Sequence, residues 1–393
     1  MQKIAEEAGH YFTIKPLCHY YLSVIFFELI GGVSFCVWIY LLAARGGFWL
    51  MRESPAPVTN ARKSVAVVIP ARNEEAVVGR AVVSLLQQNY PGSIHVFLVD
   101  DHSADATIAA AGVNDRLTIV QAGPLSAGWT GKLWAVAEGL KHVDAVKPDY
   151  ILLTDADIVH EPDSIAGLVA RAEGGSLDLV SYMVQLQCRT LAERALIPAF
   201  VFFFFKLYPP SWIARRGRKT AGAAGGCMLI RPAALARIGG IAAIRGELID
   251  DCALAGAIKP GGGIWLGLTR GARSIRDYTS FAEIRQMISR TAFTQLRHSA
   301  LLLAGTIIGL AIIYLAPLVL VLTGDRVAAG LGLAAWLLMS TSYIPTLRFY
   351  KTSWVWAMLL PFIALFYMYA TVDSAVRYWT GRGGLWKDRV QAC

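Results

Sequence analysis

Two kinds of hydrophobic pattern divide the chain. Residues 20–44 form a long apolar run, and three more runs, 299–322, 327–347 and 353–375, crowd the C-terminal part. Such lengths match the roughly 20 residues a helix needs to cross a bilayer. The first run is too long for a signal-peptide core and predicts an anchor that stays attached. The last three predict two or three spans. From about 64 to 280 the pattern changes to short β-rich runs: "SVAVVIPA", "HVFLVDD", "LTIVQA", "YILLTDAD" and "CMLIRP". Helical stretches over 75–88 and 131–142 separate the first of them. This alternation predicts an α/β domain with a mostly parallel sheet and helices on both faces. Continuously apolar strands agree with burial on both sides.

One further run, "LIPAFVFFFFKLYPP" (196–210), lies inside the α/β region. With Lys206 and its prolines it is expected to be an interfacial helix rather than a span. The organisation that results is an anchor over 1–45 and a linker over 46–63. The α/β domain covers 64–280 and an interfacial amphipathic segment 281–298. Membrane segments over 299–376 and a basic tail over 377–393 complete it.

Composition reinforces the membrane reading, because 55% of the 393 residues are hydrophobic and only 17% charged. The formal charge of +9 suggests anionic partners, either lipid headgroups or a phosphate-bearing substrate. The cations are scattered and no nucleic-acid motif appears, so no nucleic-acid partner is expected. Arg45, Arg52, Arg62 and Lys63 follow the first run and favour a cytoplasmic domain. With three C-terminal spans, Arg377, Arg382, Lys387 and Arg389 would fall on the opposite side, against that tendency. One of the C-terminal segments is therefore expected to be re-entrant or interfacial. The six cysteines include no CxxC pair or His/Cys cluster, which points to a reducing compartment without structural zinc.

The candidate chemistry sits at strand ends, where open α/β sheets collect ligands. One strand delivers Pro70, Arg72, Asn73, Glu74 and Glu75, a second Asp100 and Asp101, and a third Asp155 and Asp157. Each pair alone could be a helix cap or a solvated turn. Three such ends together need a cation or polar ligand to offset their repulsion. An Asp-x-Asp pair suits a divalent metal, Mg²⁺ or Mn²⁺, which accepts one or two carboxylates and completes its shell with water and phosphate oxygens.

"VVIPARNEE", "VDDHSADAT", "GWTGK", "TDAD" and "IDDCAL" occur here in the order found in family 2 glycosyltransferases, and the chain resembles that family over roughly 64–280. The resemblance implies a GT-A fold and a nucleotide-sugar donor. The stretches "GPLSAGWTGKLWA" and "TAFTQLRHS" look more narrowly like the hopene-associated glycosyltransferases of hopanoid synthesis. That likeness implies a lipid acceptor and a multi-pass protein of the bacterial inner membrane.

Carried over residue by residue, the resemblance assigns Pro70, Arg72 and Glu74 to the nucleotide pocket and Asp100 and Asp101 to the base or ribose. It brings Lys132 to the diphosphate and makes Asp155 and Asp157 the metal-binding pair. It makes Asp251 the general base, with Asp250 beside it, and sets Gly225 and Gly226 near the acceptor. Processive members carry a Gln-x-x-Arg-Trp box. Here "EIRQMISRTAFTQLRHS" puts Arg290 one place late after Gln286, and no tryptophan follows. Arg290 and Arg297 remain candidates for the diphosphate or for lipid headgroups.

The expected function is transfer of a single sugar to a lipid hydroxyl with inversion. The alternatives are a processive polysaccharide synthase and a non-catalytic membrane scaffold that keeps the fold.

Overall fold

The computed structural model describes residues 2–53, 61–383, 385–386 and 389–390, with the backbone alone for 2–20 and the last two pairs. Residues 54–60 of the expected linker, together with Lys387 and Cys393, lie outside the described residues.

Eight strands form one sheet: β1 (Val65–Ala71), β2 (Ile94–Asp100), β3 (Leu117–Gln121), β4 (Tyr150–Thr154), β5 (Ile158–His160), β6 (Leu177–Gln185), β7 (Cys227–Ile230) and β8 (Gly263–Ser274). Their order across the sheet is β3-β2-β1-β4-β7-β6-β8-β5. β1, β2 and β4 are buried almost throughout, as their valine, isoleucine and leucine runs require.

The β3-β2-β1-β4 half is parallel. Its register ends β1 and β2 side by side, with Ala71 opposite Asp100. β7 then runs antiparallel to both β4 and β6, and Thr154 faces Cys227. That reversal has a functional consequence. The start of β7, with Gly225 and Gly226 just before it, lies beside the carboxyl end of β4. On the far side β5 pairs antiparallel with β8, and Ile158 faces Ser274.

Among the described residues, four helices are long and apolar enough to cross a membrane: Tyr21–Ala44, Leu191–Ile213, Ala300–Val321 and Arg326–Phe349. The first is the described part of a helix that runs from Gln2 to Ala44. Its Gly31 packs against Leu331, and Trp38 donates to the Ile313 carbonyl at 2.9 Å. Arg45, just past its end, donates to the Lys206 carbonyl, and Arg270 of β8 donates to the Phe349 carbonyl. The ends at Ala44 and Phe349 therefore both meet the α/β domain.

The run 196–210, expected to be interfacial, lies largely within the helix Leu191–Leu207. The helix Leu191–Leu207 is fastened to the α/β domain at its start, where Thr190 caps it and donates to the Tyr278 carbonyl. At its other end Arg45 holds the last carbonyls. It is nevertheless long and apolar enough to count among the four candidates.

The segment 353–375 is not among the four. It starts beside Phe349 and reaches the middle of the Arg326–Phe349 helix, where Trp336 donates to the Met358 carbonyl at 3.1 Å. It then returns as the helix Leu360–Trp379. Near the end of that helix Asp373 accepts from Arg285 and Ser289, at 3.0 and 2.8 Å. Both ends of the segment thus lie on the side of the α/β domain.

Candidate active site

Asp155 and Asp157 follow β4 directly, with Ala156 turned inward and 3% exposed between them. Lys132 stands in the first turn of the helix Gly131–Val146, which Thr130 caps. Its ammonium lies 3.0 Å from Asp155 and 3.1 Å from Asp250. Burial works against that ammonium, yet Asp155 and Asp250 outweigh it and hold the lysine above its ordinary range. Asp155 is raised as well: burial, Asp157 and Asp250 lift its carboxyl although Lys132 opposes them.

Asp157 meets a different set of partners. Ser274 Oγ donates to its carboxylate at 2.5 Å, and Arg276 Nε is 3.7 Å away. The same arginine grips both oxygens of Glu74, at 2.7 and 2.8 Å. Arg276 therefore joins the tip of β1 to the tip of β4. No sequence signal marked it, because its place depends on β8 pairing with β5.

Asp250 and Asp251 open the helix Asp250–Ile258. The Gly225 N–H donates to Asp251 Oδ2 at 2.9 Å. A Cβ on Gly225 would stand 3.2 Å from Lys132 Nζ and 3.6 Å from Asp251 Oδ2, so the missing side chain lets backbone, lysine and carboxylate converge. At Gly226 a Cβ would meet Val184 at 3.2 Å. Burial first, then the charge of Asp250, raises Asp251 to about 6, with Lys132 opposing. That carboxyl therefore sits well above the ordinary aspartate range.

These groups line one cavity of about 1040 Å³. Pro70, Glu74, Lys132, Asp155, Asp157, Gly225, Gly226, Asp250, Asp251 and Arg290 all reach it. Its opposite wall is apolar and comes from the helices: Phe200, Phe203, Leu296, Leu310 and Tyr367. Arg377 and Arg382, from the end of the returning C-terminal segment, also line it.

Four expected site residues do not appear in that lining. Arg72 donates to the carbonyls of Asp101 and His102. Asp100 is 1% exposed and accepts from Gln121 Nε2 at 2.8 Å and the Ser103 N–H at 3.2 Å, so its carboxylate holds a turn together. Asp101 is fully buried, 3.9 Å from Arg72. Arg297 sits in a left-handed turn with φ 52°.

Among the described residues no group of three or more His, Cys, Asp or Glu side chains could hold a metal. The Asp155–Asp157 pair supplies two hard oxygen donors facing a cavity. That fits Mg²⁺ or Mn²⁺, which needs only one or two carboxylates when phosphate and water supply the rest.

Comparison with known proteins agrees with this geometry. A profile of the family described as "Glycosyltransferase like family 2" matches residues 61–287. A 4,4'-diaponeurosporenoate glycosyltransferase of Staphylococcus aureus is 28% identical over 127 residues. That stretch covers 31% of this chain and only 32% of the relative. Among solved structures, the mannosyltransferase of Pyrobaculum calidifontis in complex with GDP-Man and Mn²⁺ superposes with a TM-score of 0.54 at 17% identity. The superposition covers 89% of this chain and 99% of that one, and it shows the shared GT-A fold. The chain belongs to the family 2 glycosyltransferases.

Proposed function

We propose that this family 2 glycosyltransferase moves one sugar, with inversion, from a nucleotide-sugar donor to a hydroxyl on a membrane-embedded amphiphile. The observation that carries the proposal is the single cavity, acidic and cationic at the sheet rim and apolar along the helices. A sugar nucleotide suits the first end and a lipid the second. The Staphylococcus relative, named for a lipid-related acceptor, supports the second half of this reading. An isoprenoid lipid such as a hopanoid is the acceptor class proposed.

In this mechanism Lys132 binds the diphosphate and offsets the negative charge that grows on it as the glycosidic bond breaks. Asp251 accepts the proton of the acceptor hydroxyl while that oxygen attacks the anomeric carbon from the face opposite the diphosphate. Gly225 keeps the base aimed by donating its N–H to one carboxylate oxygen. Arg276 holds Glu74 and Asp157 at fixed positions beside the donor. A divalent ion held by Asp155 and Asp157 would supply further positive charge at the leaving group, and the Mn²⁺ of the Pyrobaculum structure supports that assignment.

The proposed orientation has the α/β domain facing the cytoplasm. Arg45 and Arg52 lie at that face, and Arg377 and Arg382 share it because they line the same cavity. Single transfer is favoured over chain extension, since Gln286 and Arg290 lack the tryptophan of the processive box.

The test incubates purified protein with Mn²⁺, radiolabelled UDP- and GDP-sugars and extracted membrane lipids. One labelled lipid species carrying one sugar is expected. Label in long polymer, or no label in lipid with any donor, would overturn the proposal.

A further inference from the structure

Lys206 lies in the wall of the apolar limb of this cavity and has no carboxylate within ion-pair distance among the described residues. Its ammonium makes one hydrogen bond among them, to Tyr314 Oη at 2.8 Å. It also faces the rings of Phe203 and Tyr314, 5.1 and 4.7 Å from their centres. Another cation, Arg45, donates to the Lys206 carbonyl. Arg45 itself stacks on Trp212 together with Arg218.

A lysine serving only to fill space at the end of a phenylalanine-rich helix would be a poor choice. Removing an ammonium from water is costly unless a partner replaces the water, and leucine or methionine would pack there without that cost. Ring faces offset part of it. An ammonium has three N–H donors, however, and the tyrosine uses one.

The partner tyrosine is also specially placed. Ala311–Leu315 form a π-helical turn between the helices Ala300–Leu310 and Ala316–Val321. Such turns re-aim side chains and recur at functional sites. Here the turn carries Tyr314, fully buried, to Lys206. It also presents the Ile313 carbonyl to Trp38. Two distant segments of chain, 206 and 314, are thus brought together around a positive charge on the wall where the acceptor would lie.

We infer that Lys206, held from behind by the buried Tyr314, forms an anion-recognising site in the apolar limb of the cavity, and that its ligand is an ionised carboxylate or phosphate group carried by the amphiphile occupying that limb. The inference rests on the reading that the cavity admits the acceptor, and it narrows the acceptor from any lipid alcohol to an anionic amphiphile.

The experiment compares binding of hexadecyl phosphate and hexadecanol to the full chain in neutral detergent, for wild type, K206M, K206R and Y314F. Wild type should prefer the phosphate by roughly tenfold or more, the strength of a charge-assisted hydrogen bond. K206M should lose the preference, K206R should retain part of it, and Y314F should weaken it. Equal preference in wild type and K206M overturns the inference, as does a wild type without preference. Thermal melting identifies any variant that fails to fold, and K206R then decides the outcome through its partial retention.

The same variants in nanodiscs of phosphatidylglycerol or phosphatidylcholine separate the two sources of phosphate. A Lys206 effect confined to phosphatidylglycerol would assign the site to a bilayer headgroup and overturn the acceptor assignment. Sugar-nucleotide binding, measured separately, keeps the two readings distinguishable. Its absence would sink the proposed transfer reaction while leaving the anion preference intact.

Discussion

The two ends of the cavity are built in opposite ways. At the sheet rim, charges are dense and cross-braced: Lys132 joins Asp155 to Asp250, and Arg276 joins Glu74 to Asp157. Every one of those groups comes from a strand tip or the first turn of a helix. At the membrane end, the wall is aromatic and aliphatic, and it is assembled from segments as far apart as Phe203, Leu310 and Tyr367. The contrast teaches that one fold element handles charge and another handles solubility. Substitutions at the two ends should therefore separate donor handling from acceptor handling.

The largest separation is expected at Asp251. Replacing it with Asn should lower kcat by roughly 10²–10⁴-fold, the contribution of a general base, while donor affinity stays within a few-fold of wild type. Isothermal titration with the donor, alongside the transfer assay, checks both halves. Full turnover by the Asn variant would remove Asp251 from its role.

Next in size is Asp157→Ala, which leaves Arg276 with Glu74 alone and takes one oxygen donor from the proposed metal pair. Donor binding in Mn²⁺ should weaken about 10–100-fold, as when the support of a metal site is lost, with acceptor KM little changed. If Asp157→Ala instead raised acceptor KM alone, the division between the two ends would fail.

Acidity offers a graded test of the same end. Asp251 must be ionised to take a proton, and its carboxyl lies at about 6. The transfer rate should therefore rise about tenfold per pH unit below 6 and level off above it. A flat profile between pH 5 and 8 would contradict the base assignment.

On the helix side of the cavity, Arg382→Ala should raise acceptor KM about three- to tenfold with donor affinity unchanged, since a single exposed charge contributes modestly. Arg297→Ala should do least of all. That residue does not line the cavity, and its transfer kinetics should match wild type in the same assay.

The rim end was largely legible in the chain. β1, β2 and β4 announce themselves as continuous apolar runs, and the tips of β1 and β4 bring Glu74, Asp155 and Asp157 to one cavity. Pro70, Glu74, Lys132, Asp155, Asp157 and the Asp250–Asp251 pair all reach the cavity from motifs that are local in sequence.

Other features were hidden for physical reasons. β8 carries three glycines in "GIWLGLTRGARS", which blur its strand signal, and β6 is split between apolar and polar positions. Without those strands Arg276 has no visible address. Arg377 and Arg382 were out of reach for another reason. Their place depends on the 353–375 segment turning back, which hydropathy alone does not encode. Asp100 and Asp101 stand apart from that cavity and make local bonds instead. Acidic residues at a strand tip also serve as turn supports, and the buried bonds of Asp100 to Ser103 and Gln121 follow that use.

The most direct measurement places a photo-crosslinking benzoylphenylalanine at position 203, in the apolar wall, and supplies radiolabelled sugar nucleotide with lipid acceptor. If one cavity serves both substrates, irradiation during turnover should attach a labelled glycolipid to the chain at that position. Label that forms glycolipid freely yet never crosslinks at 203, while crosslinking at an outward-facing control such as Leu301, would contradict it.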